Sequence, residues 1–263
     1  MLKRLVDPLY ARIVSEVSRR ADLQPVARRA ETVAELEALY REFVLADLPE
    51  CDGRAGLVAR LLGTQASEAL YLCAYLHRAL VCDGDVCEFG VAQGATSALI
   101  ANEIRATGKR LWLFDSFAGL PKPSPKDVLI HDIFKLGSMA RYEGTMAYPQ
   151  DHVRRRLRAV KFPSSRVDLV AGFVEETLRR DPVPKNVCFA YVDLDFYEPI
   201  KTVLEYLDQV VPAGAHIMVD DYGWFSAGAK TAVDEFMASR PGRYDLLMPL
   251  PFAGHFAALA RRA

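Results

Sequence analysis

Four aspartates in two groups are the residues of this sequence best suited to chemistry, and each group directly follows a short apolar run: Asp193, Asp195, Asp220 and Asp221. An apolar run closed by carboxylates is typical of a buried parallel strand whose carboxyl end opens onto a cleft. Carboxylates gathered in one cleft repel one another unless a cation neutralises them, and oxygen-only ligands suit Mg²⁺. The sequence therefore predicts a metal-assisted active site at the carboxyl edge of a sheet.

A glycine-rich segment predicts a second binding element. Glu88 ends a strand-like run, and Gly90 and Gly94 allow the backbone to approach a ligand closely. Thr96 stands at the start of a predicted helix, whose first amides can bind a carboxylate. Asp115 ends the next strand-like run, where an acid can accept both hydroxyls of a ribose. The glycine spacing differs from the pyrophosphate-binding fingerprint, which indicates a nucleoside that carries an amino-acid carboxylate, and S-adenosylmethionine fits that description.

These residues need a sheet to bring them together, and the pattern after residue 84 supplies one. Strands are predicted at 85–91, 110–116, 166–172, 188–193 and 216–220. Helices are predicted between them at 96–107, 150–160, 174–180 and 199–210. Strands that alternate with helices indicate right-handed βαβ units, so the predicted fold class is α/β with a mostly parallel sheet. The segments 244–249 and 255–261 are predicted to add a closing antiparallel hairpin.

Two segments lie outside that alternation. Residues 1–80 carry apolar side chains at three- and four-residue spacing, which predicts a helical N-terminal extension packed on a catalytic domain at 81–263. Residues 118–150 are too long for a simple connection and interleave prolines and glycines with aromatic residues. Long connections in compact domains are usually functional lids or disordered segments, and the aromatic residues favour a lid over the site. We refer to residues 118–150 below as the lid.

Composition limits the possible partners and compartment. The 263 residues are 51% hydrophobic and carry a formal net charge of −1, which gives no reason to expect nucleic acid or a membrane as partner. No apolar stretch approaches the roughly 18 residues of a membrane span, and the first residues lack the apolar core of a signal peptide. The five cysteines are odd in number and lack paired spacing, which predicts reduced thiols in the cytoplasm.

Four motifs, at 88–94, 114–121, 193–198 and 220–222, together resemble the macrocin O-methyltransferase family, which is TylF-type. The resemblance covers roughly residues 83–240. It implies a class I methyltransferase fold, Rossmann-like, with a seven-stranded sheet and flanking helices. It also implies that S-adenosylmethionine and Mg²⁺ are used to methylate a sugar hydroxyl of a glycosylated natural product or glycan, and that the chain forms a homo-oligomer. Pro199 departs from the family pattern, in which a small hydroxyl residue is expected at this position.

The resemblance also assigns residues. The metal would be held by Asp193, Asp220 and Asp221, and Asp195 would be the general base. The cofactor would be bound by Glu88, Gly90, Gly94, Thr96, Asp115, Ser116 and Phe173.

Several alternatives remain open at this point. Catechol-type O-methyltransferases use a similar metal set on the same fold to methylate a small aromatic diol, although Asp195 and the lid favour a sugar. A non-catalytic protein that binds S-adenosylmethionine is disfavoured because the clustered acids are intact, and a nicotinamide dehydrogenase is disfavoured by the glycine spacing. Asp195 could instead cap the helix that follows it. His131 in the lid is a candidate acceptor contact or auxiliary base.

Overall fold

In the computed structural model, which describes residues 8–23, 25–180 and 182–263, seven β-strands form one mixed sheet. The strands are β1 (Asp85–Phe89), β2 (Leu111–Asp115), β3 (Val167–Ala171), β4 (Val187–Val192), β5 (His216–Val219), β6 (Tyr244–Leu247) and β7 (Ala257–Arg261). Their order is β3-β2-β1-β4-β5-β7-β6, and the first five are parallel, whereas β7 runs antiparallel to β5 and to β6. The predicted α/β fold with a mostly parallel seven-stranded sheet and a closing hairpin is confirmed.

Helices cover both faces of this sheet. In the part of the chain that the structure describes they are α1 (Pro8–Leu23), α2 (Val26–Phe43), α3 (Arg54–Val58), α4 (Ala66–Ala79), α5 (Ala95–Glu103), α6 (Gln150–Ala159), α7 (Val174–Thr177), α8 (Tyr197–Val210) and α9 (Ala227–Ala238). Helices α1 to α6 share one apolar core with one face of the sheet, and α7 to α9 share a second core with the other face. None of these described helices combines the length and the apolar character that crossing a bilayer requires.

Strand β4 shows why the central strands are apolar throughout. All of its residues are buried, and their side chains alternate between the two cores. Phe189 and Tyr191 pack with α1 to α6, whereas Ala190 and Val192 pack with α7 to α9. Because both faces of the strand are covered, no position favours a polar side chain until the strand ends at the site.

The C-terminal helices differ in part from the predicted ones. The sequence predicts no helix between residues 220 and 244, where the structure has α9. Ser226 caps α9 by accepting a hydrogen bond from the Gly228 N–H, but the small residues that follow give a weak apolar periodicity. Helix α8 begins at Tyr197, two residues before the predicted start at Pro199. Pro199 is compatible with the first turn of the helix, because the amide N–H that proline lacks would have had no partner within the helix there.

The first four helices form a layer that is tied to the sheet domain through a buried ion network. Residues 1–7 of the predicted N-terminal extension lie outside the described residues. Arg54 at the start of α3 is fully buried and donates two hydrogen bonds, of 2.9 and 2.6 Å, to Glu103 at the end of α5. Arg54 also donates to Glu37 of α2 at 2.6 Å. This guanidinium therefore joins helices of the extension to a helix of the sheet domain.

The lid has a small core of its own. It contains a short 3₁₀ helix, Met139–Tyr142, whose two buried ends pack against Phe196 and Phe225. Its backbone pairs with the segment before α9, where the Ile130 N–H donates to the Phe225 carbonyl at 3.0 Å. The lid is therefore anchored to the segments that follow β4 and β5.

We expect Arg54→Met to lower the free energy of unfolding by about 3–5 kcal/mol, because the change removes both hydrogen bonds of the guanidinium to the buried Glu103 carboxylate and leaves it only the contact with His77. Urea unfolding followed by circular dichroism measures this difference. The matched control is Arg19→Met, which removes the exposed ion pair with Glu16 and should leave the stability essentially unchanged. Equal stabilities of the two variants would contradict the assigned role of Arg54.

Candidate active site

A cavity of about 540 Å³ opens at the carboxyl ends of β1, β4 and β5. One wall is the turn between β1 and α5, which contributes Gly90 and Thr96. A second wall is the acidic segment that follows β4 and β5, and the lid forms a third. A concave site of this size at the carboxyl edge of a parallel sheet can hold a small-molecule cofactor together with part of a second ligand.

Three carboxylates converge on this cavity. Asp193, Asp195 and Asp221 each offer an oxygen atom that lies within 4.8 Å of the other two. The backbone at Asp195 and at Asp221 has φ of 63° and 55°, in the left-handed region that costs about 1–3 kcal/mol for most residues and that aspartate tolerates better than most. These two turns aim both side chains at the cavity rather than along the strand direction.

Asp220 lies beside this group with its carboxylate held from another side. One of its oxygens accepts a hydrogen bond of 2.7 Å from the Tyr191 hydroxyl, and the other accepts one of 2.7 Å from the Asp221 N–H. Asp220 still lines the cavity. Neighbouring residues at a strand end thus face different partners, because β5 ends at Val219 and the backbone turns at Asp221.

Burial and mutual repulsion raise the pKa of the three convergent carboxyl groups, those of Asp193, Asp195 and Asp221. Burial raises the pKa of Asp195 to about 6, and the charge of Asp220 adds to the rise, while a hydrogen bond from Asp221 opposes it. Burial, followed by the charges of Asp220 and Asp195, raises the pKa of Asp221 to about 10. Burial also holds the pKa of Asp193 well above its usual range. The cluster therefore keeps protons at neutral pH unless a cation replaces them, and three convergent carboxylates match the ligands that Mg²⁺ prefers.

Glu68 is a fifth acid at this site, and the sequence analysis misses it. It lies on α4 with 3% of its surface exposed, and burial and the charge of Asp220 raise its pKa well above the usual range. Its Oε1 atom is buried without a hydrogen-bond partner. The sequence did contain a signal for Glu68, since it is an acidic residue in a mostly apolar helix. An acidic side chain is rarely buried unless it has a partner, so its position pointed to a role at a buried site.

Asp127, in the lid, is a second residue that the sequence analysis misses. It is 5% exposed, and one of its oxygens accepts hydrogen bonds from the Tyr197 N–H at 2.8 Å and the Ser226 hydroxyl at 3.2 Å. Those two groups stand at the first residue of α8 and at the cap of α9. Asp127 therefore satisfies an amide at the start of α8, the helix that follows Asp195. Asp195 does not cap this helix, because the residue at the cap position is Phe196, whose side chain makes no capping hydrogen bond.

The structure separates the predicted cofactor residues into two sets. Five of them line the cavity: Gly90, Thr96, Asp115, Ser116 and Phe173. The Asp115 carboxylate accepts hydrogen bonds from the N–H groups of Val91 at 2.7 Å and Ala92 at 2.8 Å. Its other oxygen accepts a hydrogen bond of 2.6 Å from the Phe117 N–H. A carboxylate has about four lone-pair positions, so Asp115 can hold these backbone groups and still accept a hydroxyl group of a ligand.

Glu88 and Gly94 are outside the cavity lining and shape the turn from beneath. Glu88 is fully buried, where it accepts a hydrogen bond from the Ser97 hydroxyl, and burial raises its pKa to about 8. Gly94 has φ of 75°, and a Cβ atom there would lie 2.9 Å from the Val153 backbone of α6. Gly90 is constrained more strongly, since a Cβ atom would lie 1.7 Å from the Asp193 carbonyl oxygen. The glycines thus permit close packing of the chain around the cavity.

His131 takes part in a stack of rings at the edge of the lid. Its ring lies 3.8 Å from that of Trp224, and the opposite face of Trp224 lies 3.9 Å from His255. The Nδ1 atom of His131 lies 2.7 Å from the Trp224 carbonyl oxygen. Trp224 lines the cavity whereas His131 does not, so the structure gives this histidine an anchoring contact between the lid and the segment after β5.

Comparison with known proteins identifies a family whose model matches this sequence and a relative of known activity. The family model described as macrocin O-methyltransferase, TylF, matches residues 56–247. A relative from Streptomyces olivaceus, 8-demethyl-8-(2,3-dimethoxy-alpha-L-rhamnosyl)-tetracenomycin-C 4'-O-methyltransferase, is 25% identical over 241 residues, which cover 86% of this chain and 88% of the relative.

Two solved structures share the fold along nearly the whole chain. The O-methyltransferase NovP has a TM-score of 0.66 at 21% identity and covers 97% of this chain and 99% of its own. CalS11, a calicheamicin methyltransferase, has a TM-score of 0.58 at 23% identity over 97% of this chain and 93% of its own. Its apo form is described as a TDP-rhamnose 3'-O-methyltransferase. At these identities the likeness shows the fold, including the expected Rossmann-like arrangement.

The family match extends over most of the chain and includes the glycine turn, the acidic segments and the lid between them. The family resemblance inferred from the four motifs is therefore confirmed. The chain belongs to the macrocin O-methyltransferase (TylF) family and is an S-adenosylmethionine-dependent O-methyltransferase.

Proposed function

We propose that this enzyme methylates a sugar hydroxyl in the formation of a glycosylated natural product, with Mg²⁺ as a second cofactor. The names of two relatives support the sugar, since one is a 4'-O-methyltransferase of a rhamnosyl tetracenomycin and the other a TDP-rhamnose 3'-O-methyltransferase. The observation that carries the proposal is the convergence of Asp193, Asp195 and Asp221 in the cavity that the glycine turn also lines. A cofactor and an activated hydroxyl can meet there.

The cofactor contacts proposed for this cavity follow its lining. Gly90 and Thr96 offer backbone and hydroxyl groups to the amino-acid part of S-adenosylmethionine, and Asp115 accepts the ribose hydroxyls. Ser116 and Phe173 lie farther along the same wall, where Phe173 presents an aromatic surface for the base. Glu88 and Gly94 support these contacts by holding the turn.

Two of the three convergent carboxylates, those of Asp193 and Asp221, are proposed as metal ligands together with Asp220, which lines the same cavity. The third, Asp195, is proposed as the general base. A bound Mg²⁺ supplies electrostatic stabilisation of the negative charge that develops on the acceptor hydroxyl. Asp195 takes the hydroxyl proton, a task that suits a carboxyl whose pKa is raised toward neutrality by burial. The Tyr191 hydroxyl orients Asp220, since it donates to one of the carboxylate oxygens. The lid excludes water from the reacting groups.

The cysteines support a proposal for the cellular compartment. The five cysteines are free thiols, which supports the cytoplasm as the proposed compartment. We further propose a homo-oligomer that works on a small-molecule acceptor, without nucleic acid or membrane as partner.

With S-adenosylmethionine and Mg²⁺, the purified enzyme is expected to methylate members of a glycoside panel that includes rhamnosides and to leave catechol unchanged. Mass spectrometry detects the added methyl group. Excess chelator should abolish transfer, and Mg²⁺ should restore it, because every proposed ligand is an oxygen. Preference for catechol would favour a catechol-type enzyme, and full activity in excess chelator would refute the metal proposal.

Asp115→Ala should weaken the binding of S-adenosylmethionine by about tenfold or more, because hydrogen bonds to a charged acceptor are lost. Isothermal titration calorimetry measures the affinity. Asp151→Ala removes an exposed acid at the start of α6, outside the cavity, and should bind the cofactor as the wild type does. Unchanged affinity of the Asp115 variant for S-adenosylmethionine would show that the cofactor does not bind at Asp115.

Asp195→Asn distinguishes a base from a metal ligand. If Asp195 is the base, turnover should fall by roughly 10²–10⁴ while the affinities for metal and cofactor stay near those of the wild type. The residual rate should rise with pH, since solvent must then take the proton. Asp193→Asn and Asp221→Asn should instead lower the affinity for Mg²⁺, which calorimetry measures independently of turnover. Loss of metal affinity in Asp195→Asn would make Asp195 a ligand.

A further inference from the structure

Each of the two acidic segments of the site continues to a buried phenylalanine and then to a helix. After Asp195 this residue is Phe196, and after Asp221 it is Phe225. The two rings are stacked, with their centres 6.1 Å apart. Helices α8 and α9 begin directly after these rings, so their first turns lie close together just beyond the two carboxylates. A group that holds both helix starts therefore also sets the position of one acidic segment relative to the other.

Asp127 of the lid is such a group. One of its oxygens accepts hydrogen bonds from the Tyr197 N–H of α8 at 2.8 Å and from the Ser226 hydroxyl at the cap of α9 at 3.2 Å. Its other oxygen accepts hydrogen bonds from the N–H and the hydroxyl of Ser124, both at 2.7 Å. The carboxylate is thus fixed to the lid through one oxygen and binds both helix starts through the other. Its negative charge suits this place, because the first turn of a helix carries a partial positive charge.

Gly228, in the first turn of α9, leaves the space for this carboxylate. A Cβ atom on Gly228 would lie 1.8 Å from the Asp127 Oδ1 atom and 2.9 Å from the Tyr197 nitrogen. The φ of Gly228 is outside the left-handed region, so its backbone conformation does not require a glycine. The close approach of Asp127 to the helix is therefore the reason that a side chain does not fit at this position.

The residue before Asp127 contacts the same two helices. The Lys126 ammonium lies 2.7 Å from a Glu235 carboxylate oxygen of α9 and 4.0 Å from the centre of the Tyr197 ring of α8. Because Lys126 and Glu235 are exposed, their ion pair contributes little to stability. Asp127 is only 5% exposed, so its hydrogen bonds form the main connection between the lid and the two helix starts.

We propose that Asp127 is a positioning residue for methyl transfer, which fixes the segments of Asp195 and Asp221 relative to each other through the starts of α8 and α9. This inference rests on the proposed roles of these acids and of Mg²⁺. Asp127 does not line the cavity, so it acts through the backbone rather than by touching a ligand. Without Asp127, the repulsion between the two carboxylates is free to move their segments apart, and the acids lose the spacing that a cation requires.

The experiment measures Mg²⁺ affinity by isothermal titration calorimetry on the enzyme saturated with S-adenosylhomocysteine. Asp127→Ala should weaken Mg²⁺ binding by about 10–100-fold, the range typical of losing a residue that orients metal ligands. Asp127→Asn should stay near the wild-type affinity, because its amide oxygen can still accept the hydrogen bonds of both helix starts. Both variants should keep the wild-type affinity for S-adenosylhomocysteine, which also verifies that they are folded.

The matched control is Asp132→Ala. Asp132 is another hydrogen-bonded aspartate of the lid, but its partners all lie within the lid: the N–H groups of Leu136 and Gly137 and the hydroxyl of Tyr142. The change therefore removes hydrogen bonds of the lid without touching the helix starts. Its Mg²⁺ affinity should equal that of the wild type.

Gly228→Ala tests the same contact from the side of the helix. The added methyl group should displace the Asp127 carboxylate and lower the Mg²⁺ affinity of the otherwise wild-type enzyme. In combination with Asp127→Ala it should lower the affinity little further, because the two changes disrupt one contact and effects at a shared contact are not additive. If Asp127→Ala does not fold, the comparison of Gly228→Ala with the wild type decides the question.

The outcomes separate this inference from the proposed function. If the wild-type enzyme does not bind Mg²⁺, the proposed metal and this inference fall together. If the wild type binds Mg²⁺ and Asp127→Ala binds it equally well, the inference alone is overturned. An equal loss in Asp132→Ala would overturn it too, because the lid as a whole would then be responsible. The same holds if Asp127→Asn binds Mg²⁺ as weakly as Asp127→Ala, or if the effects of Asp127→Ala and Gly228→Ala add.

Discussion

Asp193, Asp195 and Asp221 are held within 4.8 Å of one another in a largely buried site, and like charges at that separation repel strongly. The surrounding structure is arranged to keep them there. Gly90 lets β1 approach the backbone of Asp193 so closely that no side chain would fit. Left-handed turns at Asp195 and Asp221 aim their carboxylates at the same space. Burial, together with the charges of the neighbouring acids, raises the pKa of Asp195 and of Asp221.

The segments on either side of the sheet domain are built into this arrangement. The N-terminal helices carry Glu68 beneath the acidic cluster and Leu62 at the mouth of the cavity. The lid carries Phe134 at the same mouth and Asp127 between the starts of α8 and α9. Both segments therefore take part in the site, and the buried Arg54 network links the first of them to α5.

This arrangement assigns different work to the two ends of the cavity. The inner end, with its acids and its glycine turn, suits a methyl donor, a cation and a hydroxyl, which are polar or charged. The outer end, where Leu62, Ile133 and Phe134 lie, is apolar. Among the described residues, no lysine, arginine or histidine lines the cavity.

The sequence by itself determined the strands, their mostly parallel arrangement and the acids at their ends, because apolar runs and the turns that close them are local features. Family motifs in register extended this to the cofactor and the reaction. Only the tertiary structure separated the contacts of Asp220 from those of Asp221, since adjacent residues at a strand end are distinguished by backbone angles and by Tyr191. It alone brought Glu68 and Asp127 to the site, because those residues come from segments distant in the chain that meet only when the helices and the lid pack on the sheet.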